Sequence, residues 1–226
     1  MNKSILVFAA HPDDEALGCG GTIALHAQTG AHVQVVFMTD GVNSRDNVEK
    51  IEVEERRDAA KEASRILGAQ TPIFLSFPDN RMDTVSLLDV IKSLEKIINQ
   101  LKPQIVYTHH SDDLNIDHQI THQAVMTACR PQPNSTIREI FSFEVLSSTE
   151  WSIGSENIFK ANCFVDIDSV KEKKIASINA YEKEMRKFPH SRSTDSVEAL
   201  ISLRGSSIGL VAAEAFMLNR MLRSID

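Results

Sequence analysis

The sequence predicts an α/β fold in which a mostly parallel β-sheet is flanked by helices. Short apolar runs rich in β-branched residues alternate along the chain with longer segments of helical periodicity. These runs do not alternate with polar residues, which is typical of parallel strands that are buried on both faces. A length of 226 residues, with 42% hydrophobic and 24% charged residues, favours one globular domain.

Residues 1–130 are predicted to alternate regularly between strands and helices. Strands are expected at the apolar runs, over residues 5–10, 33–39, 73–77 and 105–108. Helices are expected over residues 20–28, 48–67 and 87–101, and Gly68 ends the second of them. A further helix follows the fourth strand and carries His118 and His122 one turn apart, so their side chains can share a face.

The pattern changes at a turn-rich break over residues 131–135. Two more strands and two helices are predicted beyond it: strands over residues 137–145 and 159–165, and helices over residues 167–187 and 197–223. The last helix is expected to be interrupted near residues 205–209, which include two glycines. Because the break is short, we interpret residues 1–130 as a core and residues 131–226 as an extension of the same domain.

Composition argues against several classes of protein. The chain has 24 basic and 31 acidic residues and a net charge of −7, so it lacks the electrostatic footprint of a nucleic-acid-binding protein. Its apolar runs are too short to span a bilayer, and an acidic cluster follows the first run where a signal peptide would carry a cleavage site. Cys19, Cys129 and Cys163 are odd in number and widely spaced, which favours a reducing compartment. We therefore expect a cytoplasmic protein that binds neither nucleic acid nor membrane.

The most specific pattern is His-Pro-Asp-Asp-Glu, which starts at His11 directly after the first strand. Ligands of open parallel sheets bind outside the carboxyl ends of the strands. His11 and Asp14 lie three residues apart around a turn and can converge on one metal ion, which leaves Asp13 and Glu15 for other tasks. The preference of helix N-termini for carboxylates explains one or two of these acids but not the whole pattern. The segment 18–21 also lacks the GxGxxG spacing of a dinucleotide site.

A second polar cluster, residues 109–118, follows the fourth strand and is expected at the same edge of the sheet. It contains three histidines, three aspartates and one asparagine. One ligand from this cluster, together with His11 and Asp14, would give three protein ligands and leave a fourth position open. That arrangement is typical of catalytic rather than structural zinc sites.

Together the two clusters resemble the LmbE-like, or PIG-L, family of zinc-dependent N-deacetylases. Residues 10–15 match the family's Ala-His-Pro-Asp-Asp-Glu signature, and Asp117-His118 matches its Asp-His element. The likeness is close over residues 4–130 and loose beyond them. It implies a Rossmann-like three-layer sandwich, hydrolysis of an N-acetyl group on a glucosamine-type sugar, and assembly as a trimer or hexamer.

The resemblance also implies roles for individual residues. His11, Asp14 and His118 would ligate zinc, and Asp13 would be the general base. The sequence departs from the family at Asn115, where many members carry a histidine that contacts the oxyanion. An amide supplies hydrogen-bond donors without a tuned pKa, so we predict that Asn115 donates to the oxyanion or the substrate.

The residue type of Asn115 also fits a structural role. Asn115 is equally suited to shaping the turn or capping the following helix. In that case His109, His110 or His190 would supply the missing histidine. The polar loop of residues 188–192, which contains His190, is also a candidate to fold over the site.

Loops after the second and third strands reach the same crevice and offer further polar side chains. Asp40, Asp79 and Asn80 are candidate substrate contacts, although turn chemistry alone explains them about as well. Arg56 and Arg57 lie on a charged helix, where a solvated role is favoured over substrate binding.

Two other functions compete with deacetylation. Carboxylates and histidines also build two-metal phosphoesterase sites, which need a carboxylate that bridges two ions. A non-catalytic sugar-binding module with a vestigial metal site is the second alternative, although the intact Asp13 argues against it.

Overall fold

The computed structural model describes residues 3–45, 49–154 and 157–223. Within these residues, seven strands form one sheet: β1 Ser4–Ala9, β2 His32–Phe37, β3 Ile73–Phe74, β4 Ile105–His109, β5 Glu139–Phe143, β6 Cys163–Asp166 and β7 Ala213–Met221. Six α-helices accompany them: α1 Asp14–Gln28, α2 Lys50–Leu67, α3 Leu87–Leu101, α4 Ile116–Ala128, α5 Lys171–Asn179 and α6 Thr194–Ser206. The predicted α/β class is confirmed.

The sheet is mostly parallel, with the strand order β3-β2-β1-β4-β5-β7-β6. The pairs from β3 to β5 are parallel, and β7 runs antiparallel to both β5 and β6. Ile5 of β1 lies opposite Val33 of β2 on one side and Ile105 of β4 on the other. This register places the carboxyl ends of the three central strands side by side.

Two hydrophobic cores lie on opposite faces of the sheet, as expected for a three-layer arrangement. Alternate residues of β1 divide between them: Ile5 and Val7 belong to the core with α1, α2, α5 and α6, and Leu6 and Phe8 to the core with α3 and α4. All four side chains are buried. The central strands are therefore apolar on both faces, which is why they appear in the sequence as uninterrupted apolar runs.

The second half of the chain corrects the sequence-based prediction of a helix over residues 197–223. Helix α6 ends at Ser206, and Ala213–Met221 forms strand β7 between β5 and β6. The alanines of this segment favour a helix locally, but hydrogen bonding to two neighbouring strands and burial of Phe216 outweigh that preference.

Several predicted bounds also change. The helix predicted over residues 167–187 is regular only over Lys171–Asn179, and the strand predicted over residues 159–165 is Cys163–Asp166. Helix α1 begins at Asp14, six residues before the predicted start. The predicted start of the second helix, Val48, lies outside the described residues.

Two sequence-based expectations about the chain as a whole can be compared with the structure. All three cysteines are free thiols. Among the described helices, none combines the length and the apolar character that crossing a membrane requires.

Helix α1 passes so close to the sheet that only glycine fits at two positions. A Cβ atom at Gly18 would lie 2.3 Å from the ring of Phe143, and one at Gly21 would lie 2.7 Å from Ile167. This close approach brings the first turn of α1 directly over the ends of the central strands.

We expect Gly18→Ala to lower the free energy of unfolding by about 1–3 kcal/mol, because the added methyl group overpacks against Phe143. Gly20→Ala is the matched control, since its Cβ would meet its nearest neighbour, Ser177, at an ordinary 3.4 Å. Urea denaturation of both variants measures the difference. Equal stability of the two variants would contradict the close packing of α1 on β5.

Candidate active site

The two polar clusters meet because the strands before them are parallel neighbours. Strand β1 ends at Ala9 and β4 ends at His109, and the two strands pair directly. The loops that follow therefore leave the sheet at the same edge. The amide N–H of Ala10 donates to Nε2 of His109 at 2.8 Å, which joins the two loops at their bases.

Three donor atoms converge where these loops meet. Nδ1 of His11 lies 3.2 Å from Nε2 of His118 and 3.3 Å from Oδ2 of Asp14, and the last two atoms are 3.2 Å apart. All three side chains are buried. Tetrahedral coordination with bonds of 2.0–2.1 Å separates its ligand atoms by about 3.3–3.4 Å. The triangle of donors therefore has the dimensions of one face of a tetrahedral metal site.

Carboxylates behind the two histidines hold the rings in this orientation. Nε2 of His11 lies 3.2 Å from Oδ2 of Asp117 and 3.3 Å from Oδ1 of Asp79. Nδ1 of His118 lies 3.1 Å from Oδ1 of Asp113. A carboxylate on the far nitrogen fixes the tautomer of a metal-binding histidine and raises its basicity. The side chains are thus preorganised to present Nδ1 of His11 and Nε2 of His118 to a common point.

His11, Asp79 and Asp117 form a second group of potential ligands, but Asp117 has other partners. Its carboxylate accepts hydrogen bonds from the amides of Asn80 at 2.7 Å and Met82 at 3.0 Å. These bonds hold Asp117 against the loop after β3. The second group therefore supports His11 from behind.

The electrostatics of the cluster favour a cation at its centre. Burial opposes charge on His118, yet Asp14 and Asp113 raise its pKa to about 9. Burial likewise opposes charge on His11, but hydrogen bonds to Asp117, Asp14 and Asp79 raise its pKa well above the ordinary value. Oδ1 of Asp14 is buried without a hydrogen-bond partner. A divalent metal bound through Oδ2 would balance the negative charge of this partly unpartnered carboxylate, so the donor set fits one.

Asp13 lies beside the three donors and is not one of them. Its Oδ2 accepts from Nη1 of Arg192 at 3.0 Å and pairs with Nη2 of Arg56 at 3.2 Å. Its Oδ1 is buried and has no partner. The backbone φ of Asp13 is 129°, a conformation that L-residues rarely adopt and that is typical of functional sites. One carboxylate oxygen is therefore held by two guanidinium groups while the other stays available.

Glu15 and Tyr181 stabilise the strained turn at Asp13 through hydrogen bonds. Oε2 of Glu15 accepts the amide N–H of Asp13 at 3.1 Å, and the Tyr181 hydroxyl donates to Oε1 of Glu15 at 2.6 Å. Burial, together with the charge of Asp13, raises the pKa of Glu15 to about 8 although the Tyr181 hydrogen bond opposes the shift. Glu15 thus supports the backbone and does not face the crevice.

A polar cavity of about 180 Å³ opens over these residues. Its wall includes His11 and Asp13 from the first cluster, Asn115 from the second, Asn80 from the loop after β3, and Arg192. The cavity has a size that admits a small polar group, and the free oxygen of Asp13 belongs to a residue of its wall.

The structure separates the remaining predicted site residues. His109 stacks on His118 with ring centroids 3.9 Å apart and lies under the site. His110 bonds to the carbonyl of Asn157 at 2.8 Å and lines a different cavity. His190 accepts from the Arg192 amide at 3.0 Å and contacts Trp151, outside the cavity wall.

The two aspartates proposed as substrate contacts are engaged elsewhere. Asp40 accepts from the amides of Val42 at 3.1 Å and Asn43 at 3.0 Å, so it serves its own turn. Asp79 is buried behind His11, where burial is outweighed by the bonds to His11 and Ser44 and its pKa falls to about 2. Asn80 alone of this group lines the cavity.

The expectation of a solvated Arg56 is wrong. Its side chain is 5% exposed and pairs with Asp13 and, at 2.5 Å, with Glu184. The sequence carries a signal for this burial, because Arg56 shares a helical face with Ala60, Ala63 and Leu67, all of which are buried. Arg192 lies at the end of the polar loop of residues 188–192, which the sequence predicts as a candidate to fold over the site. Its side chain reaches Asp13 there.

Comparison with known proteins identifies the class to which this fold and site belong. The sequence model of the PIG-L family, described as GlcNAc-PI de-N-acetylase, matches residues 6–129. The chain belongs to this family of deacetylases. The resemblance inferred from the two sequence motifs is therefore confirmed.

Individual relatives agree with this assignment. The chain is 38% identical over 151 residues to the uncharacterized deacetylase YaiS of Escherichia coli K12, a match that covers 65% of this chain and 76% of that protein. The structure of N,N'-diacetylchitobiose deacetylase from Pyrococcus horikoshii superposes with a TM-score of 0.77 at 22% identity. That superposition covers 96% of this chain and 84% of the other.

A protein with the same fold is named for a different reaction. The 4-carboxy-2-hydroxymuconate hydratase GalB from Pseudomonas putida KT2440 superposes with a TM-score of 0.79 at 23% identity, over 99% of both chains. At this level of identity both superpositions show the fold alone. The chemistry has to be argued from the site itself.

Asn115 is the N-cap of α4 and lies directly before its first residue, Ile116. Its Oδ1 accepts from the amide of Asp117 at 2.8 Å, and its Nδ2 donates to Oδ1 of Asn80 at 2.9 Å. The residue therefore caps the helix and presents an amide group to the cavity at the same time. A donor role in catalysis would require Nδ2 to turn from Asn80 towards the substrate.

Replacement of Asn115 by serine separates these two roles. Serine caps helices about as well as asparagine but has no amide, so we expect Asn115→Ser to keep the wild-type Tm and to lower kcat by about 10²–10³-fold. Asn115→Ala should show the same lowered kcat as Asn115→Ser. It should also lose about 1 kcal/mol of unfolding free energy, because alanine cannot cap the helix. A wild-type kcat in Asn115→Ser would leave Asn115 with the capping role only.

Proposed function

We propose that this protein is a zinc-dependent hydrolase that removes an acetyl group from an N-acetylated amino sugar of the N-acetylglucosamine type. The observation that carries the proposal is the set of three donor atoms, 3.2–3.3 Å apart, from His11, Asp14 and His118. Beside them stands Asp13, a carboxylate with one unengaged oxygen. Membership of the deacetylase family supports the reaction type.

The three donors fit zinc by their chemistry as well as by their spacing. Two imidazole nitrogens and one carboxylate oxygen form a donor set that catalytic zinc sites use, and such sites keep a fourth position for water or substrate. When bound, zinc would supply Lewis-acid polarisation of an amide carbonyl and a lowered pKa for water.

Asp13 is proposed as the general base and, later, as the proton donor. Its free Oδ1 would accept a proton from the attacking water and return it to the leaving amine, so that acetate and a free amino group result. Arg192 donates a charged hydrogen bond to Oδ2 and Arg56 forms an ion pair with it, which keeps the side chain in one orientation. The catalytic carboxylate is thereby directed without becoming a metal ligand.

Asn115 is proposed to donate to the oxyanion, with Asn80 as its neighbour on the cavity wall. The 2.9 Å bond between them holds both side chains at the cavity wall before substrate arrives, and Nδ2 of Asn115 would leave Asn80 to reach the oxyanion. We propose Asn80 as a substrate contact. Asp79 is assigned the supporting role behind His11, because its buried carboxylate lies 3.3 Å from that ring.

The proposed substrate is a small N-acetylated sugar or sugar conjugate. A polar cavity of about 180 Å³ suits an acetamido group and part of a sugar ring. One structural neighbour is named for its action on N,N'-diacetylchitobiose, which is built from N-acetylglucosamine units. A cytoplasmic location and a single domain over residues 1–226 remain predictions from the sequence, and assembly as a trimer or hexamer remains what the family resemblance implies.

We expect Asp13→Asn to retain zinc and to lose about 10²–10⁴-fold in kcat, because the amide cannot accept the proton. His118→Ala is the matched control, and it should lose zinc together with activity. Elemental analysis measures the metal, and acetate release from N-acetylglucosamine and N,N'-diacetylchitobiose measures the rate.

Other results would redirect the assignment. Loss of zinc in Asp13→Asn with retention in Asp14→Asn would exchange the roles of the two aspartates. Two metal ions per chain with release of phosphate from a phosphate ester would favour the phosphoesterase. Zinc binding with no acetate release from any N-acetylated sugar would favour the binding module, or hydration chemistry of the kind found on the same fold.

A further inference from the structure

Helix α1 is broken one turn after the residues of the candidate metal centre. Cys19 has φ −147° and ψ 22°, so residues 14–18 and residues 20–28 form two separate helical pieces. A break deprives the last carbonyls of the first piece and the first N–H groups of the second piece of their helical partners. Because this part of α1 is buried, those groups need partners from elsewhere in the protein.

Lys174 of α5 supplies the partner for the first piece. Its Nζ donates to the carbonyl of Ala16 at 3.0 Å and to the carbonyl of Leu17 at 2.7 Å. The ammonium group therefore acts as a C-terminal cap for the single turn that carries Asp14. A cation at this end of a helix also complements the helix dipole.

Glu214 of β7 supplies the partner for the second piece. It accepts from the amides of Gly21 at 2.8 Å and Thr22 at 2.7 Å, and from the Thr22 hydroxyl at 2.6 Å. The carboxylate therefore acts as an N-terminal cap, where the helix dipole favours an anion.

The two caps are themselves an ion pair that closes the arrangement. Nζ of Lys174 lies 2.6 Å from Oε1 of Glu214, and the side chains are 1% and 3% exposed. All three ammonium hydrogens and both carboxylate oxygens are thus engaged. A buried pair with complete hydrogen bonding fixes one geometry, since any displacement would leave a buried charge unpaired.

Short paths of hydrogen bonds connect this pair to the candidate catalytic turn. The amide of Leu17, whose carbonyl Lys174 holds, donates to the carbonyl of Asp13 at 3.0 Å. Oδ2 of Asp14 accepts the amide of His11 at 2.8 Å within the same turn. The direction of the first helical piece therefore determines where the Asp13 and Asp14 side chains point.

We propose that Lys174 and Glu214 are positioning residues that fix the first turn of α1 and thereby the donor geometry of Asp14 at the metal centre. The inference rests on the proposed function, since it assumes that His11, Asp14 and His118 bind zinc. It assigns a role in the site to the extension of residues 131–226, which contributes both charged groups.

The test compares metal binding by Lys174→Met, Glu214→Gln and wild type, all prepared free of metal. Competition with a chromogenic chelator gives the Kd for zinc, and the visible absorption of the cobalt(II) form reports the coordination geometry. We expect both variants to raise the zinc Kd by about 10–100-fold and to alter the cobalt spectrum. Val90→Ala is the matched control, because this buried residue lies on α3 across the sheet and its truncation lowers stability away from α1.

The outcomes separate this inference from the proposed function. Wild-type protein that binds neither zinc nor cobalt would overturn the metal centre itself. Folded Lys174→Met and Glu214→Gln with wild-type Kd and spectrum would overturn the positioning role alone, as would an equal loss of affinity in Val90→Ala.

If both variants fail to fold, hydrogen exchange of the wild-type protein tests whether Lys174 and Glu214 fix helix α1. The ion pair predicts that the amides of Gly21 and Thr22 are already strongly protected in the metal-free protein, because both donate to Glu214. Exchange of these two amides at the rate of an unstructured chain in the metal-free protein would overturn the inference.

Discussion

Parallel hydrogen bonding between β1 and β4 is the constraint on which the candidate site depends. Because these strands run side by side in the same direction, the loops that follow them leave the sheet together. Each loop alone supplies too few ligands for a metal. Joined at one edge, they bring His11 and Asp14 to 3.2 Å from His118. The apolar faces of the central strands stabilise this pairing, so the core of the fold also sets the geometry of the site.

The site also shows how buried charge is accommodated. Asp113, Asp117 and Asp79 lie behind the two histidines, and each carboxylate accepts hydrogen bonds from neighbouring loops. Asp13 is held by two arginines on the opposite side. The histidines among the three donors are therefore backed by carboxylates, and the carboxylate of Asp13 beside them is backed by arginines. Such networks fix side-chain orientation, and one oxygen each of Asp13 and Asp14 is among the buried atoms without a hydrogen-bond partner.

Sequence reasoning predicts the parts of this site that are local in the chain. The residues from His11 to Glu15, and those around His118, follow apolar strands directly, and strand direction alone brings them together. Contributions from the extension could not be predicted in this way. Arg192 reaches Asp13, and Lys174 and Glu214 reach helix α1, each from more than 150 residues away, and no local pattern marks them. Strand β7 was missed for the same reason, since its partners rather than its own composition determine its conformation.

Diffraction from crystals grown with zinc, measured on both sides of the zinc absorption edge, tests the central claim most directly. We expect one anomalous peak per chain, about 2.0–2.2 Å from Nδ1 of His11, Oδ2 of Asp14 and Nε2 of His118. A peak that instead lies between Nε2 of His11, Asp79 and Asp117, or no peak near either group, would contradict it.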